Sequence, residues 1–146
     1  GPIAGLPFAA PVSLTYTLTQ AEFGTSFNSS YEPWGNVVAG YELPYLPEHQ
    51  LTLTAGLRGD RWRVDGVVNY VDETRSVAGT GSIPAGRRID SRTLLDLSGE
   101  VDLADGVAAF VQVQNVTDEV YNVAFTPAGA RPGAPRLLMG GLRLKF

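Results

Sequence analysis

The sequence predicts an all-β chain in which six amphipathic strands follow one another as an antiparallel, membrane-spanning meander. Three observations predict it. Apolar residues recur at every second position in six separate runs, and almost nothing repeats at the 3.6-residue period of a helix. The connections between runs are alternately long and tight. The last run, Arg136 to Phe146, is apolar on one side through Leu138, Gly140, Leu142, Leu144 and Phe146, carries Arg143 and Lys145 on the other, and ends flush on its aromatic. Terminal residues of soluble domains usually fray, whereas a final barrel strand must pair along its length and places its aromatic at the membrane interface.

The first run, Val12 to Gln20, alternates Val12, Leu14, Tyr16 and Leu18 with Ser13, Thr15, Thr17 and Thr19. The second, Gln50 to Arg58, sets Leu51, Leu53, Ala55 and Leu57 against Gln50, Thr52, Thr54 and Arg58. The third, Arg61 to Val71, has an apolar face bounded by aromatics, from Trp62 through Val64, Gly66 and Val68 to Tyr70. In the fourth, Ser91 to Leu103, the apolar positions Leu95, Leu97, Gly99, Val101 and Leu103 face away from Asp96, Ser98, Glu100 and Asp102. Four such polar groups in register require water or partners, because a dry core would leave each of them unsatisfied. The fifth, Val107 to Val116, places Val107, Ala109, Val111 and Val113 opposite Gln112 and Gln114, with Phe110 an exception on the polar side.

Two connections, Arg58-Gly59-Asp60-Arg61 and Leu103-Ala104-Asp105-Gly106, are tight turns with Gly and Asp where unusual backbone angles are needed. The other three, roughly Ala21 to His49, Asp72 to Asp90 and Thr117 to Pro135, are long and rich in Gly, Pro and aromatics. Tight turns at one end of a sheet and long loops at the other are the asymmetry of an outer-membrane barrel, with turns periplasmic and loops extracellular. By that rule the last strand descends and Phe146 lies at the periplasmic side.

Composition narrows the functional classes. No stretch approaches the roughly 20 apolar residues of a spanning helix, a test to which barrel strands of about 9 to 11 alternating residues are invisible. With 11 basic against 15 acidic residues, the net charge of -4 argues against a nucleic-acid partner. The absence of cysteine removes disulfides, thiol catalysis and cysteine-based metal sites, and a single histidine, His49, cannot build a histidine-rich one. His49 follows Pro47 and Glu48 at a strand entrance and reads as a boundary residue, without the nucleophile and orienting carboxylate of a hydrolytic triad. Gly79-Thr80-Gly81 lacks the following helix and the Gly-Lys-Ser/Thr of a phosphate loop. No catalytic residue, cofactor or metal site is expected.

The run Val113-Gln114-Asn115-Val116-Thr117-Asp118-Glu119-Val120-Tyr121, the segment Arg131-Pro132-Gly133-Ala134-Pro135-Arg136 and the final strand ending in Phe146 together resemble the C-terminal end of TonB-dependent outer-membrane receptors. Upstream, Glu42 to Gln50 and Val77 to Gly86 look like the ferric-dicitrate branch of that family. The resemblance covers about Val12 to Phe146. It implies that residues 1 to 146 are the last six strands of a barrel of about 22 around a plug domain, with the plug and earlier strands absent here. It implies uptake of a ferric chelate, ferric citrate or a siderophore complex, powered by TonB acting on the plug. The final strand, through Leu138, Leu142, Leu144 and Phe146, would be the signal read by the barrel-insertion machinery, and the outward faces would meet outer-membrane lipid and lipopolysaccharide. Without the missing strands, the sheet would expose two open edges and an oily face.

The long loops carry the candidate binding residues. Arg75, Arg87 and Arg88, with Arg92, cluster around the second loop, and Arg131 and Arg136 around the third. Guanidinium groups bind carboxylates bidentately and focus anions at a barrel mouth, so Arg75, Arg87, Arg88 and Arg131 are the expected contacts for an anionic chelate. The same residues suit lipopolysaccharide phosphates or plain solvation. Tyr31, Trp34, Tyr41 and Tyr45 would either line a vestibule or pack the first loop on itself. Asp96, Glu100 and Asp102, with Arg63, Asp65, Arg143 and Lys145, are expected to form a watered lumen wall in which opposite charges pair across strands. Two other readings remain open: a passive porin-like channel, and a soluble antiparallel β domain that binds a ligand.

Overall fold

The computed structural model describes residues 8–126 and 129–145. In chain order its strands are β1 (Val12–Leu18), β2 (Phe27–Asn28), β3 (Asn36–Val37), β4 (His49–Arg58), β5 (Trp62–Val71), β6 (Thr74–Arg75), β7 (Arg88–Ile89), β8 (Arg92–Ala104), β9 (Val107–Gln114), β10 (Asn122–Ala124), β11 (Arg131–Pro132) and β12 (Leu137–Leu144). A 3-10 turn, Ala85–Arg87, precedes β7. The six long strands form one antiparallel sheet in the order β1-β4-β5-β8-β9-β12, so each pairs with its neighbour in the meander. These are the six runs expected from the alternation, trimmed or extended by one or two residues. The short pairs β2-β3, β6-β7 and β10-β11 lie inside the three long connections and leave no alternation to read over two or three residues.

Register turns the alternation of single strands into two faces. On one, Leu14, Leu53, Val68 and Leu95 form a row, as do Val12, Ala55, Gly66, Leu97, Val113 and Leu138. Further rows run Leu57, Val64, Gly99, Val111, Gly140 and Trp62, Val101, Ala109, Leu142. Most large side chains of this face are exposed, among them Leu138 at 69%, Leu142 at 64% and Leu144 at 52%. The rows containing Tyr70 and Trp62 are eight residues apart on β5, about 26 Å along the strand, or about 20 Å of depth at the usual tilt. That matches the apolar band of an outer-membrane barrel wall.

The opposite face is polar and ordered by height. Ser13-Thr54 and Thr15-Thr52-Asn69 give a belt of hydroxyls and amides, in which the Thr52 hydroxyl donates to Asn69 Oδ1 at 2.9 Å. Charges gather toward the tight turns. Arg58 pairs with Asp65 at 2.7 Å, and Glu100 takes Arg63 at 2.9 Å with one oxygen and Arg143 with the other. The expected cross-strand pairing of lumen charges is therefore present for Arg63, Asp65, Glu100 and Arg143. Asp96 instead accepts the backbone N–H of Asn115 at 2.8 Å. Phe110, the exception on this face, lies against Gly141 directly opposite on β12; a Cβ there would sit 3.0 Å from the ring. An aromatic ring over a cross-strand glycine covers backbone that has no side chain of its own.

Burial is concentrated away from the sheet. The most buried described residues include Pro33, Val37, Thr74, Arg75, Ser76, Ile89 and Asn115, which lie in the long connections or at their junction with strands; Ala108 is the buried apolar residue of the long strands. A soluble sandwich would bury one sheet face against a second layer. Here the apolar face has no protein layer over it among the described residues.

The tight turn after β8 depends on one glycine. Gly106 has φ +75°, its carbonyl accepts the Lys145 N–H at 2.8 Å, and a Cβ would lie 2.9 Å from the Lys145 carbonyl oxygen. Gly106→Ala is expected to destabilise the folded barrel by about 1–2 kcal/mol through the left-handed angle and this backbone contact. Urea unfolding in lipid vesicles measures it.

Candidate functional site: the interlocked long loops

The three long connections assemble into one cap over the ends of the strands. In the first, Trp34 gathers Phe23, Phe27 and Tyr31 edge-on, with ring centroids 5.6, 5.9 and 5.5 Å away. Edge-to-face packing aims a positive ring edge at a negative ring face and holds such a cluster without a large core. Tyr31 and Trp34 thus pack the first loop on itself. Tyr45 reaches outward from this loop to Thr126 of the third, hydroxyl to hydroxyl at 2.7 Å.

The second connection is stitched to the first through backbone. The Glu42 N–H donates to the Gly79 carbonyl at 2.8 Å, the Ala78 N–H to Pro33 at 2.7 Å and the Tyr45 N–H to Arg75 at 2.8 Å. Its own hairpin is closed by the Ser76 N–H on the Arg87 carbonyl at 2.8 Å.

The third connection is held by a clasp that accounts for the paired motif of the sequence. Asn115 is 4% exposed and adopts φ 49°, a left-handed angle that Asn tolerates because its short side chain bonds locally. Its Nδ2 donates to the carbonyls of Glu119 at 2.9 Å and Ala134 at 3.2 Å, while its Oδ1 accepts the Glu119 N–H at 2.9 Å. Asp118, at φ 56°, accepts the Arg136 N–H at 3.1 Å and its guanidinium at 3.3 Å. Tyr121 lies over Gly133, so closely that a Cβ there would collide with the ring, and Arg92 stands 5.3 Å above the Tyr121 centroid. The two halves of the motif, Gln114 to Tyr121 and Arg131 to Arg136, therefore grip each other. The cue in the sequence was Asn and Asp at sharp bends; their partners up to 19 residues away carried no local signal.

The four arginines expected to meet an anionic chelate separate in the structure. Arg87 and Arg131 are exposed, and among the described residues neither makes an ion pair. Arg88 is half-committed, bound to Asp90 at 2.8 Å and 3.7 Å from Glu73. Arg75 departs from the expectation of an accessible cation. It is 5% exposed and its guanidinium is consumed by Glu42 at 2.7 Å and the Gly81 carbonyl at 2.9 Å. Burial without such partners would cost a guanidinium several kcal/mol, so the pairing and the burial belong together. His49 opens β4, and its Nδ1 lies 2.8 Å from the Tyr16 hydroxyl. Leu138, Leu142 and Leu144 point outward from β12, and Phe146 lies outside the described residues.

Two clefts flank the cap's base. A cavity of about 440 Å³ lies between the beginning and the end of the first connection, lined by Gln20, Glu22, Glu42, Leu43, Leu46 and Glu48. A second, of about 210 Å³, adjoins it along Asp72, Glu73, Arg75 and Ser82. The charged side chains in their walls are acidic apart from Arg75. Among the described residues, no three His, Asp or Glu side chains are placed so that they could hold a metal ion together.

Comparison with known proteins places the chain. The family model described as TonB dependent receptor-like, beta-barrel, matches residues 6–116. Among solved structures, the chain is similar to the ferric-catecholate import receptor Fiu from Escherichia coli K12. Its closed form superposes with a TM-score of 0.71 at 21% identity over 94% of this chain and 19% of that one; its open form gives 0.60 at 22% identity over 72% and 17%. No curated protein sequence matches the chain. The chain spans about a fifth of the length of that receptor. With its outward apolar band and inward polar face, it is a segment of a bacterial outer-membrane β-barrel wall, and it belongs to the TonB-dependent receptor-like β-barrel family.

Proposed function

We propose that the chain is the C-terminal part of the barrel of an outer-membrane active transporter that takes up a ferric chelate, ferric citrate or another siderophore complex. The plug domain and earlier strands would come from the rest of the receptor, and TonB would act through that plug. The observation that carries this reading is the coincidence, within a TonB-dependent receptor barrel, of a lipid-facing apolar sheet and a loop cap carrying exposed guanidinium groups at Arg87 and Arg131 that make no ion pair among the described residues. The import of ferric catecholate by the structurally similar receptor Fiu supports the same cargo class. Arg87 and Arg131 would draw in the anionic chelate, with Arg88 released from Asp90 as a third contact and Arg75 acting from beneath. The same exposed cations would meet lipopolysaccharide phosphates when no chelate is bound. The outward leucines of β12, with Phe146, would present the strand to the insertion machinery. Receptor of this family, rather than enzyme, is the class to which the fold belongs.

The test is uptake of radiolabelled iron by cells that express the intact receptor. Uptake of ferric citrate or a siderophore complex that saturates and stops on adding a protonophore is expected; saturable uptake indifferent to the proton gradient would overturn active transport. Arg87→Glu with Arg131→Glu is expected to weaken chelate binding about tenfold or more at low salt, with the difference shrinking as ionic strength rises. Equilibrium binding to purified receptor at two salt concentrations reads this effect.

A further inference from the structure

The position of Arg75 carries a conclusion that does not depend on the cargo. Three independent features converge on it. Its side chain is 5% exposed, and its Nε and Nη2 both bind Glu42 of the first connection, at 2.8 and 2.7 Å. Nη2 also donates to the Gly81 carbonyl at 2.9 Å, while Nη1 occupies the space above Gly79, where a Cβ would come within 2.9 Å. Its own carbonyl accepts the N–H of Tyr45, which holds a positive φ of 61° and reaches Thr126 in the third connection. A non-glycine residue with a bulky side chain pays for that angle only where surrounding contacts over-determine it.

We infer that Arg75 is a latch that makes the three long connections open and close as one lid rather than as separate loops. The side chain joins the first and second connections, and its carbonyl, through Tyr45, joins both to the third. Removing the guanidinium leaves Glu42 without its partner, frees Gly79 and Gly81, and loosens the backbone bonds from Glu42 to Gly79 and from Ala78 to Pro33. A local contact would affect only its own hairpin. A latch must affect sequence-distant segments together.

Amide hydrogen exchange on the intact receptor in detergent distinguishes these outcomes. In Arg75→Ala, the amides of Glu42, Tyr45 and Ala78 are expected to exchange about tenfold or more faster, together, while β4 and β5 keep their protection. Arg75→Lys, which keeps the charge but not the fork that binds Glu42 and Gly81 at once, is expected to behave more like Ala than like Arg. Tyr45→Phe is expected to release the segment around Thr126 alone and to leave Glu42 and Ala78 protected. Faster exchange confined to residues 74–89 in Arg75→Ala would overturn the inference. If that variant fails to insert, Glu42→Gln removes the charge on the other side of the pair with little change in shape. The same joint acceleration is then expected, and unchanged exchange at Ala78 and Tyr45 would count against the latch.

Discussion

Leu97→Arg is expected to cost about 2–4 kcal/mol of folding free energy in phospholipid vesicles, whereas Ser98→Arg, one position along β8, stays within about 0.5 kcal/mol of the parent. Leu97 sits in the row of Val12, Ala55, Gly66, Val113 and Leu138, midway between the Tyr70 and Trp62 rows, so its side chain lies near the centre of the bilayer. An arginine there must reach for an interface through hydrocarbon. Ser98 points to the other side, between Asp65 on β5 and Gln112 on β9, where an added guanidinium finds water and acceptors. Urea titration of tryptophan fluorescence in vesicles measures both. Equal tolerance at the two positions would mean that the apolar face does not contact lipid.

The second large effect concerns Asn115. Asn115→Ala removes three side-chain hydrogen bonds from a site that is 4% exposed and places alanine at φ 49°. At about 1 kcal/mol per bond and about 1 kcal/mol for the backbone angle, the expected loss is about 3–4 kcal/mol. It is expected to fall mainly on the third connection, so limited proteolysis should cut between residues 117 and 135 well before the strands melt. Asn115→Gly recovers the angle but not the bonds, and is expected to regain only about 1 kcal/mol. Asn115→Asp keeps the acceptor for the Glu119 N–H but sets a carboxylate against the carbonyls of Glu119 and Ala134, and is expected to be at least as damaging as Ala. Full recovery in the glycine variant would mean that strain, and not the clasp, explains the asparagine.

How much of this was legible follows from the range of each interaction. The long strands were readable because a sheet between lipid and water imposes a two-residue period that survives in β1, β4, β5, β8, β9 and β12. The two tight turns were readable because Gly and Asp mark them locally. The interior of the cap was not. Arg75 meets Glu42 across 33 residues and Tyr45 meets Thr126 across 81, separations over which no periodicity carries information. For that reason Arg75 looked like its neighbours Arg87 and Arg88, and only the fold separates one that is buried from others that face solvent. Phe110 likewise looked like a flaw in the pattern until Gly141 appeared opposite it.

That last contact bears on how faithfully the sheet is aligned. Strands with a two-residue repeat can slide by two positions and still keep oil on the correct side. Sliding β12 by two against β9 would bring Met139 or Arg143 opposite Phe110 in place of Gly141. Either side chain would collide with the ring or force it off the surface, and the slide that brings Met139 there would also carry Arg143 away from Glu100. Phe110 and Gly141 therefore act as key and notch: the glycine that weakens β12 as a strand is what lets the sheet reject a misalignment that its hydrophobic pattern alone would accept.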